Sequence, residues 1–129
     1  MNAAFAVIAV FAIIFVVPIA VYGALAIATG LAVPGGDAAA FLAGVAVSKL
    51  GTAIAFVGLW MLVRPDRSGR LWPYVLLWWV MFVTGEIGQA LGPGYSWTEA
   101  LGGILSESIY LPLAGLVLRW RLPGRDSRQ

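Results

Sequence analysis

The sequence predicts an all-α fold, an integral membrane four-helix bundle with both termini on the cytoplasmic side, and three observations predict it. The 129 residues are 61% hydrophobic and only 11% charged, where a soluble domain carries about a quarter charged residues. The apolar residues fall in four runs, each close to the roughly 20 residues a helix needs to cross a 30 Å hydrocarbon core. Arginines gather in alternate connections between those runs.

The first run, about Ala4–Ala28, has no charged residue, and Pro18 inside it predicts a kink. It has no basic leader and a longer apolar core than a signal peptide, so it reads as a retained span. Gly30 and Pro34-Gly35-Gly36 separate it from the second run, about Ala39–Val63. The segment Arg64-Pro65-Asp66-Arg67-Ser68-Gly69-Arg70 precedes the third, about Leu71–Leu91, with Pro73 in its first turn. Gly92-Pro93-Gly94 makes the next turn, and the fourth run covers about Ala100–Leu118. Pro112 predicts a kink there, and Pro123-Gly124 marks the end. One transmembrane domain, residues 1–120, is therefore expected, with 121–129 as a polar tail.

Arg64, Arg67 and Arg70 share the second connection, and Arg119, Arg121, Arg125 and Arg128 the C-terminal segment. The first and third connections have no Lys or Arg. The positive-inside rule then puts the second connection and the tail in the cytoplasm, and four spans return the N-terminus to the same side. Trp60, Trp72 and Trp120 fall near that interface, Tyr95 and Trp97 near the outer one. Small size and an Ala/Gly/Arg-rich composition place the chain in a bacterial cytoplasmic (inner) membrane as a multi-pass protein.

The chain has no Cys and no His. Disulfides, thiolate chemistry and imidazole ligation are thereby removed, and neither a metal nor a cofactor is expected. A net charge of +2 confined to certain segments does not suggest nucleic acid. No phosphate-cradling glycine loop or serine nucleophile elbow is present.

Chemistry is left to Lys49, Glu86 and Glu107, each inside an apolar run. A charge at bilayer depth costs about 2.5–3.5 kcal/mol on insertion scales, so such residues are paired, inward-facing or functional. Helical rise puts Lys49 about 22 Å from Arg64, Glu86 about 24 Å from Arg70 and Glu107 about 18 Å from Arg119. All three are expected in one layer of the outer half, within about one helical turn. Ser48 and Thr52 share the Lys49 side of the second helix. Gly85 and Gln89 share the Glu86 side of the third, and Gly103, Ser106 and Tyr110 line up with Glu107 on the fourth. Glu99 is placed as an outer mouth two turns from Glu107, and Tyr22 reaches a similar outer depth. The expected resting state has one Glu ionised against Lys49 and the other protonated, titrating as a pair.

The length, the short basic segment Arg64–Arg70 and the carboxylates Glu86 and Glu107 in the last two helices resemble the DoxX-like families of small four-helix bacterial membrane proteins. The resemblance implies the fold and carries no residue roles. A second likeness is to emopamil-binding-type sterol isomerases, which use intramembrane carboxylates, although this chain has no His. Small multidrug transporters keep their membrane Glu in the first helix, where this chain has no charge.

The leading expectation is a binding module: a pocket for a small apolar or amphipathic ligand, oriented by Lys49, Glu86, Gln89, Glu107 and Tyr110. A second is a membrane-embedded acid–base enzyme of isomerase or hydratase type, with Glu86 and Glu107 catalytic in opposite protonation states. A third is an accessory subunit whose polar residues assemble a larger complex. Expected partners are the bilayer, a small hydrophobic ligand, and a second copy or another membrane subunit.

Overall fold

An apolar chain in lipid must satisfy its backbone internally, and helices do so within one segment. The computed structural model describes residues 3–31, 37–63 and 70–122, and within them the chain is helical with no strand. The helices are α1 (Ala3–Thr29), α2 (Ala38–Leu62), α3 (Leu71–Ala90) and α4 (Trp97–Arg121). All four are long and apolar enough to cross a membrane. Pro34-Gly35-Gly36, Arg64, Arg67, Pro123-Gly124, Arg125 and Arg128 lie outside the described residues.

The helix ends follow local chemistry. Gly30, at φ +70°, ends α1 while its N–H donates to Ala26 O at 3.0 Å, the left-handed stop that glycine permits. Asp37 caps α2 by accepting from Ala39 N at 2.9 Å. Ser96 and Glu99 form a capping box: Glu99 N donates to Ser96 Oγ at 3.2 Å, and Ser96 N to Glu99 Oε2 at 2.6 Å. That box starts α4 at Trp97, three residues before the apolar run begins. Glu99 is thus a capping residue, and its carboxylate is turned onto backbone rather than held out as a mouth. The helices run through Pro18 and Pro112.

Side-chain contacts fix the helix directions. Arg121 at the end of α4 lies over the Phe5 ring near the start of α1, 5.0 Å from its centroid. Phe82 of α3 meets Tyr110 of α4, and Phe56 of α2 meets Tyr74 and Trp78 of α3. Each helix therefore runs antiparallel to the next. The start of α1 and the end of α4 share one end of the bundle, and Tyr95 sits at the other.

The core is organised on α4. It buries ten residues, against three on α1, four on α2 and two on α3. Close backbone packing joins α4 to α1 and to α3, and α1 to α2. Around the bundle the order is α2, α1, α4, α3, so α2 stands diagonally from α4. Small residues explain the hub: without a hydrophobic force between helices in lipid, association depends on close approach. A Cβ added at Gly102 would stand 2.7 Å from Tyr22 Cε1 of α1, and one at Gly115 would stand 2.6 Å from Val75 Cγ2 of α3.

Large aromatics close the remaining seam, between α2 and α3. Phe56 and Tyr74 have ring centroids 5.1 Å apart, Phe56 and Trp78 5.4 Å, and Trp60 and Tyr74 5.2 Å. The Tyr74 hydroxyl also donates to Phe56 O. All of these lie in the half of α2 nearer Leu62. From Ala38 to Thr52, α2 has no buried residue, and Ala53 is the first.

Candidate functional site

The polar groups of the span form a column along one side of α4. At the Tyr95 end, the Gly92-Pro93-Gly94 turn, with Gly94 at φ +85°, folds the chain back over the last turn of α3. Tyr95 thereby reaches Glu86, donating to its Oε2 at 2.5 Å. Burial pushes the Tyr95 phenol up from its ordinary value, and the bond to Glu86 adds to the rise. Tyr95 accordingly stays a donor at neutral pH.

Tyr22 of α1 completes this rim. Its hydroxyl donates to Glu99 O at 2.8 Å and lies 3.3 Å from the Tyr95 hydroxyl. Each phenol has one proton, and the bonds to Glu86 and Glu99 O use both. The contact between the two tyrosines is then the weakest link of the chain. With Tyr95→Phe, Glu86 loses the donor held at 2.5 Å, and stability should fall by about 1 kcal/mol, the usual worth of a side-chain hydrogen bond. Equilibrium unfolding in mixed micelles measures the loss, and an unchanged midpoint refutes the bond's importance.

Glu86 meets α4 at Gly103, where an added Cβ would stand 2.5 Å from Oε1 and 2.6 Å from Oε2. Glycine at 103 is what lets the carboxylate lie against the α4 backbone. Four residues further, about 6 Å of helix rise, Glu107 is 3% exposed, and its Oε2 is buried without a hydrogen-bond partner. One turn beyond, Tyr110 is 1% exposed, and its hydroxyl likewise has none. Lys49 of α2 lies over the Tyr110 ring, 5.4 Å from its centroid, a cation–π geometry.

Two expectations change in detail. Lys49, Glu86 and Glu107 spread over more than the expected single turn: Glu86 meets α4 at Gly103, and Lys49 meets it at Tyr110, seven residues further along. Among the described residues Lys49 also makes no ion pair with either carboxylate; its ammonium rests on the Tyr110 face. α2 stands diagonally from α4, and what Lys49 meets there is the Tyr110 ring.

Lys49, Glu86, Glu107 and Tyr110 are brought to this column, and Gln89 is not: it is exposed, one turn beyond Glu86. Ser106 is buried but donates to Gly102 O at 2.7 Å, and Thr52 donates to Ser48 O at 3.1 Å. Both hydroxyls are occupied by their own helices. Ser108 accepts from Trp79 Nε1 at 2.9 Å, pinning α3 to α4 away from the column. Tyr95 as the partner of Glu86 is the contact sequence reasoning missed. The signal was the Gly-Pro-Gly turn, which returns residue 95 to the end of α3.

Comparison of the chain with protein-family models, curated proteins and solved structures returns no match.

Proposed function

We propose that this multi-pass membrane protein binds a small apolar or amphipathic molecule, whose hydrogen-bonding group is held by Glu107, Tyr110 and Lys49. One observation carries the reading. Glu107 Oε2 and the Tyr110 hydroxyl are buried, one helical turn apart, and neither has a hydrogen-bond partner. Buried polar atoms are paired in the great majority of cases, and each exception needs a reason. Two such atoms on one face of α4, next to an ammonium, suit a ligand that supplies the missing bonds. Glu86, Tyr95 and Tyr22 form the rim above them.

The proposal includes the setting: a bacterial cytoplasmic membrane, helix termini inside, the Tyr95 end outward. The arginines Arg119 and Arg121 at the opposite end support that orientation. Kinship with the DoxX-like families is part of the same proposal and rests on helix number and on the carboxylates of α3 and α4.

Thermal unfolding in detergent, across a panel of lipid-soluble compounds, tests the binding reading. At least one compound should raise the midpoint, since ligand at a hundred times its Kd adds about 2.7 kcal/mol. The double variant Glu107→Gln/Tyr110→Phe should lose that rise. No response across a broad panel refutes the reading.

An acid–base enzyme is the second reading, favoured by the unequal settings of the two carboxylates. Glu86 accepts a phenolic hydrogen bond, whereas Glu107 Oε2 accepts none. Two carboxylates in contrasting environments are how one site supplies both an acid and a base. Chemical change in a bound compound, lost in Glu107→Gln with binding retained, would separate this from binding alone.

A further inference from the structure

The atoms that carry the binding reading are sealed. Glu107 Oε2 and the Tyr110 hydroxyl are buried, so part of the protein must move before a ligand or water touches them. The cover one turn outward of Glu107 comes from two helices that meet α4 at neighbouring glycines. Tyr22 of α1 stands against Gly102, and Glu86 of α3 against Gly103. Tyr95 spans the gap between them, donating to Glu86 Oε2 at 2.5 Å with its hydroxyl 3.3 Å from that of Tyr22.

The two halves of this cover are unlike. Tyr22 is pinned to α4 by its bond to Glu99 O at 2.8 Å. Glu86 rests on bare α4 backbone, and among the described residues its hydrogen bond is the one from Tyr95. The same α3–α4 seam shows how a permanent seal is built: at Gly115 the space is filled by Val75, apolar and stiff at χ1. At Gly103 it is filled by the tip of a flexible side chain that water can solvate. Gln89 lies one turn further out on the same side of α3 and is exposed, where its amide can receive the carboxylate once it swings away.

We infer that Glu86 is a gate over Glu107, latched shut by Tyr95 and Tyr22, and that water and the polar group of a ligand reach Glu107 from the Tyr95 end when the latch parts. The inference rests on the ligand-binding reading for what the gate admits, and adds the side of entry and the moving part. Opening needs no helix to shift. The line Tyr22–Tyr95–Glu86 breaks at a phenol–phenol contact or at one hydrogen bond, and side-chain rotation then carries the carboxylate off Gly103. Local opening of this kind sets how fast a buried group meets solvent.

The test reads the gate with no ligand present. The chain has no Cys, so Ser106→Cys places a single thiol one turn inward of Gly102, at a position 1% exposed. The full chain is placed in liposomes and a membrane-impermeant methanethiosulfonate is added outside. Trp97→Cys, at a position 59% exposed, reports the share of chains whose Tyr95 end faces the reagent. Reaction at position 106 should be slow. Adding Tyr95→Phe should speed it about fivefold, the change in an open population when one ordinary hydrogen bond is lost. Adding Gly103→Ala, whose methyl displaces the carboxylate, should speed it at least as much. Ala114→Cys, buried about two turns further along α4, should stay slow in both backgrounds. Equal acceleration at position 114 would show a loosened bundle, and a rate at position 106 that neither substitution changes would show that Glu86 is no gate; either result overturns the inference. Both leave the binding reading to the compound panel, which is run on the chain without these substitutions.

Discussion

Gly115→Leu is expected to cost about 3 kcal/mol, the upper end of the usual overpacking penalty. Even the first added atom, Cβ, would stand 2.6 Å from Val75 Cγ2. Val75 is 5% exposed, and a β-branched side chain in a helix has one strongly preferred rotamer. It cannot turn aside, so α3 and α4 must separate at this contact. Unfolding midpoints in a graded denaturing detergent measure the loss. Gly51→Leu supplies the control: position 51 is exposed, with nothing within 4 Å of its added Cβ, and a midpoint near wild type is expected. Equal losses at both positions would show that glycine content, rather than the α3–α4 seam, sets stability. Gly103→Ala should behave differently from Gly115→Leu. The atoms in its way are a carboxylate at the end of a flexible side chain, so Glu86 moves and the helices stay in place.

Tyr110→Phe is expected to make the ligand-free protein more stable while weakening ligand binding. A buried hydroxyl without a partner carries a desolvation penalty of about 1–3 kcal/mol, and phenylalanine removes it at nearly constant shape. The ring beneath Lys49 and the edge contact with Phe82 remain, so packing and the cation–π contact persist. Stability in the absence of ligand should therefore rise by about 1 kcal/mol or more, and the ligand-induced rise should shrink. A loss of ligand-free stability would mean that the hydroxyl is already satisfied, and would remove the observation on which the proposed function rests. Sites that hold a ligand commonly carry this cost, so that stability gained there is function lost.

The four helices were legible because apolar length and Gly/Pro turns leave little alternative. The start of α4 was less legible, since its first turn, Trp97-Thr98-Glu99, looks polar by hydropathy. The Ser96–Glu99 capping box marks it instead. The order of helices around the bundle was not legible. Lipid is as apolar as the interior, so a helix such as α1, with no charged residue, gives no sign of which face it buries. α4 is the exception, because Gly102, Gly103, Ser106, Ala114 and Gly115 mark the side that admits close neighbours. Depth arithmetic put Lys49, Glu86 and Glu107 within a turn of one another, whereas Glu86 meets α4 at Gly103 and Lys49 meets it at Tyr110, seven residues further along. The same arithmetic said nothing about rotation. It therefore missed that Lys49 rests on an aromatic ring rather than on a carboxylate, and that Gln89 is exposed away from the column.

The dependence of Lys49 on Tyr110 also has a consequence for biosynthesis. Helices leave the ribosome in order, and α2 enters the membrane when α1 is its sole partner. α1 offers close packing but no charged group. The ring that Lys49 rests on arrives with the last helix. Until then the ammonium, eleven residues into α2, lacks that ring, and a long lysine stem lets such a head reach for a polar surface. Synthesis of α4 therefore does more than add a span: it ends the interval in which the partly made protein most resembles a substrate for membrane quality control.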